Sequence, residues 1–104
     1  MRSSNQLLVT VITVTKNNAV GLKSTLKSVE AQDYSEIEHI IVDGASNDNS
    51  LDLLKKYQIN RVKVISESDK GIYDAMNKGI IHISGESKYT IFLNVFMAIF
   101  NSIK

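Results

Sequence analysis

The chain has 104 residues, 43% hydrophobic and 22% charged, with a formal net charge of +1, no cysteine and no proline. That length makes one domain or part of one, and the composition is that of a folded globular protein rather than a disordered or fibrous one. The near-neutral charge gives no basic field for nucleic acid or an anionic membrane. The lack of cysteine excludes disulfides, thiolate chemistry and cysteine zinc sites, and suits a reducing compartment.

Met1-Arg2 ahead of an apolar run at 7–14 has the outline of a short signal peptide. No small-residue cleavage site follows, and Thr10 and Thr13 give the run a strand-like pattern, so it is predicted to be a buried strand. Rich in β-branched residues and apolar on both faces, it suits the centre of a sheet covered by helices on both sides. Thr15-Lys16-Asn17-Asn18 follows, with Asn17 or Asn18 as a helix N-cap. Ala19, Leu22, Leu26 and Val29 recur at helical spacing, and the helix should fade near Gln32-Asp33-Tyr34.

Residues 37–43 form a second predicted strand, in which Ile40-Ile41-Val42 ends in Asp43. Gly44-Ala45-Ser46-Asn47-Asp48-Asn49 is a loop of turn and cap residues, and a second helix carries Leu51, Leu54 and Tyr57. Residues 62–66 are a third strand. Ile72, Met76, Ile80 and Ile83 make the apolar stripe of a third helix, leaving Asp74, Asn77 and Lys78 on another face, with Gly85 as its stop. Residues 89–94 are a fourth strand; the apolar stretch 89–100 is too short for the roughly 20 residues of a membrane helix.

This β-α-β-α-β-α-β order predicts an α/β fold with a parallel sheet, right-handed crossovers and strand order 3-2-1-4, its ligands at the carboxyl ends of the strands. Those ends offer Thr15 and Asn17, then Asp43 with Ser46 and Asp48, then Glu67, Asp69 and Lys70. No Gly-x-Gly-x-x-Gly follows strand 1, which argues against a dinucleotide, and there is no P-loop or Gly-x-Ser-x-Gly elbow. A receiver-type phosphoacceptor site would want acids where Thr15 stands. His39 and His82 have no partner at metal-ligand spacing and are expected to be structural or surface residues. The remaining groups suit a nucleoside, with Asp43 placed to accept the imide N–H of uracil.

At this point the residues resemble a family. Val11-Ile12-Thr13-Val14-Thr15-Lys16-Asn17, Ser28-Val29-Glu30-Ala31-Gln32-Asp33-Tyr34, Ile40-Ile41-Val42-Asp43-Gly44-Ala45-Ser46-Asn47-Asp48 and the block 66–79, with Asp-Lys-Gly-Ile-Tyr-Asp-Ala-Met-Asn-Lys-Gly at its heart, occur in the order seen in inverting family 2 glycosyltransferases of the GT-A fold. The similarity is to the bacterial branch that builds colanic acid, O-antigen and other surface polysaccharides. It implies a Rossmann-like GT-A half-domain at 1–94 that binds a UDP-like nucleoside diphosphate-sugar. Thr15 and Asn17 would line the base and Asp43 would contact it. Asp69, Lys70 and Gly71 would close over base and ribose, and Asp74 and Asn77 would lie beneath the sugar-nucleotide. It also implies Mn²⁺ or Mg²⁺ at the diphosphate, a carboxylate base for the acceptor, and a place in the cytoplasm, peripheral at the inner face of the membrane.

The sequence departs from that family after Asn94. An acidic metal motif is expected there, but Val95-Phe96-Met97-Ala98-Ile99-Phe100-Asn101-Ser102-Ile103-Lys104 follows, and no carboxylate occurs after Glu86. Residues 95–104 are thus expected to be a non-family apolar tail, from a truncation or frameshift, with no catalytic residue or metal ligand in the chain and little activity alone. The edge of strand 4 would be exposed to self-association. The alternatives are a non-catalytic nucleotide-binding or interaction module that pairs with another chain, and a plain α/β domain whose polar junctions are only helix caps.

Overall fold

The run Leu8–Thr15 is buried at every position but Val9, as expected of a strand covered on both faces, and it forms β1 at the middle of the sheet. The structure, a computed structural model, describes residues 7–57 and 62–95. Six further elements follow: α1 (Ala19–Glu30), β2 (Ile37–Asp43), α2 (Ser50–Lys55), β3 (Val62–Ser66), α3 (Ile72–Ile81) and β4 (Ser87–Val95). The four strands form one parallel sheet in the order β3-β2-β1-β4. In register, Thr15 lies beside Asp43 and Val95, and Asp43 beside Ser66, so the four strands end in one row.

The pleat divides the core in two. On one face Ile12, Val14, Ile40 and Val42 pack against Ala75 of α3, with Ile65, Ile72, Met76 and Ile83 at the margin. On the other, Ile41 and Val95 pack with Leu22 and Leu26 of α1 and Leu54 of α2. No helix among the described residues is long and apolar enough to cross a membrane.

Several boundaries differ from the sequence expectation. The α3 stripe runs through Ala75 and Gly79, both buried, while Ile80 is 46% exposed. The cause is close approach: a Cβ at Gly79 would lie 2.6 Å from Cγ2 of Ile12, so the helix is seated by its small residues and its bulky ones flank the contact. Helix α3 ends at Ile81, capped by backbone bonds from His82 N–H, and Gly85 lies beyond that end. Helix α1 ends at Glu30, before the expected Gln32. Val95, expected in the tail, is the buried last residue of β4, while the rest of that tail lies outside the described residues.

The amino ends of the strands are locked by one buried acid. Glu38 accepts hydrogen bonds from Thr10 Oγ1 (2.8 Å), Ser84 N–H (3.1 Å) and Lys63 Nζ (3.2 Å), and Lys63 also donates to His82 O. Burial pushes the Glu38 carboxyl up, but these donors, with the Lys63 charge, pull it below the ordinary carboxylate value. His39 lies inside the sheet face covered by α1, its Nε2 2.7 Å from Thr13 Oγ1, and burial lowers its pKa to about 4. It is therefore a neutral structural imidazole, as its isolation in the sequence suggested.

Candidate functional site

The carboxyl ends of β1, β2 and β3 each run into a polar loop; the first two loops are tied by side chain to backbone bonds, and the third joins the end of β2 through Ser66 and the Glu67 N–H. Asn17 takes a left-handed conformation (φ 50°) just after β1. Its N–H donates to Ser46 Oγ (2.9 Å), and its side-chain oxygen accepts from Asn47 N–H (2.6 Å). Asp48 accepts from Ala19 N–H (3.2 Å) at the start of α1 and from Ser50 N–H (3.0 Å) at the start of α2. Asn18 caps α1 by accepting from Gly21 N–H (3.0 Å).

Asp43 stands at the centre of this edge with no exposed surface. Its carboxylate accepts from Ser46 N–H (3.0 Å), Ser46 Oγ and Ser66 Oγ (2.9 Å). A carboxylate offers about four lone-pair sites, so one remains. Asp43 thus joins the β2 loop to the end of β3 and, being fully enclosed, could meet the expected base only if Ser46 or Ser66 moved away. Thr15 is also enclosed, its hydroxyl donating to Val95 O at 3.3 Å. The expected Thr15 and Asp43 therefore form the floor of the edge, while Asn17 lies at its surface.

The third loop, 67–71, is shaped from α3. Asp74 accepts from Lys70 N–H (2.9 Å), and that bond chiefly holds its carboxyl below the ordinary range. Lys78 donates to Ser68 O and reaches Glu67 (3.3 Å) and Asp74 (3.6 Å). Gly71, at φ 119° and ψ −176°, has a conformation that side chains resist, which explains a glycine at this junction. Asp74 thus fixes the loop rather than presenting a free carboxylate. Asn77, on the same helix, is exposed, as is Lys70.

Asp69 is the distinctive member. Its Oδ1 accepts from Gly71 N–H (3.0 Å), while Oδ2 is buried without a partner. A Cβ on Gly44 would overlap Oδ2 and would touch Lys16 Cδ at 3.4 Å. Gly44 and Lys16 were not among the expected site residues. Their only sequence signal was position, immediately after Asp43 and Thr15, since a close approach across strand ends leaves no local pattern. Among the described residues, no group of three His, Asp or Glu side chains could hold a metal ion.

A model of the family described as Glycosyl transferase family 2 matches residues 10–95. An uncharacterized glycosyltransferase of Mycobacterium tuberculosis is 47% identical over 79 residues, covering 75% of this chain and 30% of the relative. A PGL/p-HBAD biosynthesis glycosyltransferase of Mycobacterium bovis is 36% identical over 73 residues, covering 67% and 28%. A solved mannosyltransferase from Pyrobaculum calidifontis, in complex with GDP-Man and Mn²⁺, superposes with a TM-score of 0.69 at 25% identity, covering 78% of this chain and 26% of its own. The chain thus spans about 30% of the length of the curated relatives it matches.

Proposed function

The chain belongs to glycosyl transferase family 2, and on that premise we propose that its strand-end edge is the nucleotide side of a transferase moving a sugar from a UDP-linked donor to a polysaccharide or glycolipid acceptor. The observation that carries this reading is the convergence of three cross-tied loops on one row of strand ends, with Asp69 Oδ2 left as a buried acceptor among them. The mannosyltransferase of the same fold, solved with a nucleotide-sugar, supports it. A relative named for PGL/p-HBAD biosynthesis supports a biosynthetic role, alongside the surface polysaccharides suggested by the sequence blocks. A lipid-borne acceptor would put the reaction at the inner face of the membrane.

Each residue then has a task. Asn17 and the loop at 44–48 frame the base, with the enclosed Asp43 bracing that loop from beneath rather than meeting the base itself. Asp69 and Lys70 form the wall over base and ribose, turned at Gly71. The amino ends of α1 and α3 follow directly from β1 and the 67–71 loop, so their positive dipole ends face the same edge and favour the diphosphate, as do Lys16 and Lys70. Asn77 is left to meet the sugar end of the donor.

The mannosyltransferase carries Mn²⁺, and a divalent ion suits the family. The described residues do not fit one: no three potential ligands cluster. These residues are therefore assigned to binding and orienting the donor, and neither the acceptor's proton nor the departing diphosphate's second counter-charge is assigned to them.

Titration calorimetry of the full chain with UDP, a UDP-sugar, GDP and GDP-mannose, each with and without Mn²⁺, tests this. Weak UDP binding, insensitive to the metal, is expected. Failure to bind any nucleotide would overturn the site. Binding that requires Mn²⁺ would overturn the division of labour.

A further inference from the structure

The 67–71 loop carries Glu67 and Asp69, and Asp74 stands in the first turn of α3, so three carboxylates crowd an edge assigned to an anionic donor. Glu67 N–H is bound to Asp43 O at the end of β2, which anchors the start of the loop. Beyond that point the loop has no apolar side chain to pack, being Ser, Asp, Lys and Gly, so only hydrogen bonds and charge can fix it. Lys78 supplies much of both. It lies six residues beyond Ile72, the first of α3, and a rise of about 1.5 Å per residue puts it roughly 9 Å along the helix. Helical side chains lean toward the amino end, and the long lysine stem covers that span. Its ammonium donates to Ser68 O and pairs with Glu67 (3.3 Å) and with Asp74 Oδ2 (3.6 Å). The same Asp74 oxygen accepts from Lys70 N–H. The Lys78 side chain is only 20% exposed, although a helical lysine ordinarily extends into water.

We propose that Lys78 is the positioning residue of the nucleotide wall: its one ammonium, shared by Ser68 O, Glu67 and Asp74, holds the 67–71 loop in the shape in which Asp69 and Lys70 meet the donor. This rests on the reading of the strand-end edge as a donor site. Glu67 is 58% and Asp74 37% exposed, and ion pairs this open add little to the stability of a fold, so their effect falls on the loop. Without the ammonium, Glu67 and Asp74 would repel each other and the incoming diphosphate. With it, one of their two charges is cancelled, and the loop stands ready, so less of the binding energy goes into ordering it.

Lys78→Met keeps the stem and removes the ammonium. In the full chain without ligand, amide hydrogen exchange at Lys70 and Gly71, bound to Asp74 and Asp69, should quicken by about tenfold, while Gly44 N–H, bound to Thr15 O, keeps its rate. In titration calorimetry the variant should bind UDP about tenfold more weakly with no change in the urea midpoint. Lys78→Arg, which keeps a charged donor, should bind within about twofold of the unaltered chain. Lys27→Met, in the last turn of α1, is the control and should bind UDP as the unaltered chain does. Unchanged exchange at Lys70 and Gly71 overturns the proposal. So does an affinity loss that comes with a lowered urea midpoint or that Lys78→Arg does not restore. If the unaltered chain binds no nucleotide, the donor-site reading has failed instead, and exchange, measured without ligand, tells the two failures apart.

Discussion

Gly79→Ala tests how α3 is seated. Helix propensity alone favours the substitution by about 1 kcal/mol. The packing opposes it: the new methyl would lie 2.6 Å from Cγ2 of Ile12 and 3.3 Å from its Cδ1. Carbon contacts settle near 3.5–4.0 Å, so the helix or Ile12 must give by about 1 Å. Ile12 has little room, being fully buried in the cluster with Val14, Ile40, Val42 and Ala75. Overpacking of this kind costs about 1–3 kcal/mol, leaving a net loss of about 1 kcal/mol after the propensity gain. In urea the midpoint should fall with m unchanged, and the thermal midpoint should drop by about 4–8 °C. Gly85→Ala is the control: nothing lies within 4 Å of its Cβ position, and its effect should stay within about 0.5 kcal/mol. With Ile12 cut to Ala, Gly79→Ala should turn neutral or stabilising. A raised midpoint for Gly79→Ala in the unaltered chain would refute the contact.

Three further outcomes are expected. His39 takes a proton near pH 6.5 when unfolded but only near pH 4 when folded, so the unfolded chain binds the extra proton between those values. Stability should therefore decline as pH falls from 6.5 to 4, by up to about 3 kcal/mol, and His39→Gln should flatten that part of a urea-midpoint profile. Glu38→Gln keeps the shape but removes the charge that three donors converge on, and should cost about 1–3 kcal/mol in urea. Because the Glu38 pKa is depressed in the fold, this contribution is full above the ordinary carboxylate value of 4.5 and fades as pH falls through the folded one. Gly44→Ala should displace Asp69 and break its bond to Gly71 N–H, weakening UDP binding at least tenfold in calorimetry while costing the fold no more than about 1 kcal/mol.

The alternation of strand-like and helical runs made the strand order 3-2-1-4 legible, because few connections suit four parallel strands joined by three helices. The strand-end edge was legible as a place: Thr15, Asn17, Asp43 and Asp69 do gather at one row of strand ends. Their states were not. Nothing local in the sequence says that Thr15 and Asp43 are enclosed, since enclosure depends on Ser46, Ser66 and Val95 arriving from elsewhere in the chain. Ile80 was misplaced for a related reason: a periodicity weighted by bulk cannot see that Ala75 and Gly79 bring a helix closest to a sheet. Glu38 gave no signal because a charged residue second in a strand ordinarily faces water, and its partners Thr10, Lys63 and Ser84 come from three other segments.

Glu38 has one more consequence. Parallel strands have a direction, and in this chain the two poles of the sheet are fastened in different ways. At the amino pole, a single carboxylate fastens β1, β3 and the turn into β4. At the carboxyl pole the ties are distributed, Asp43 holding Ser66 and Thr15 holding Val95 at the strand ends while Asn17 links the first two loops. A change at Glu38 would reach three segments of the sheet at once, for reasons of architecture alone.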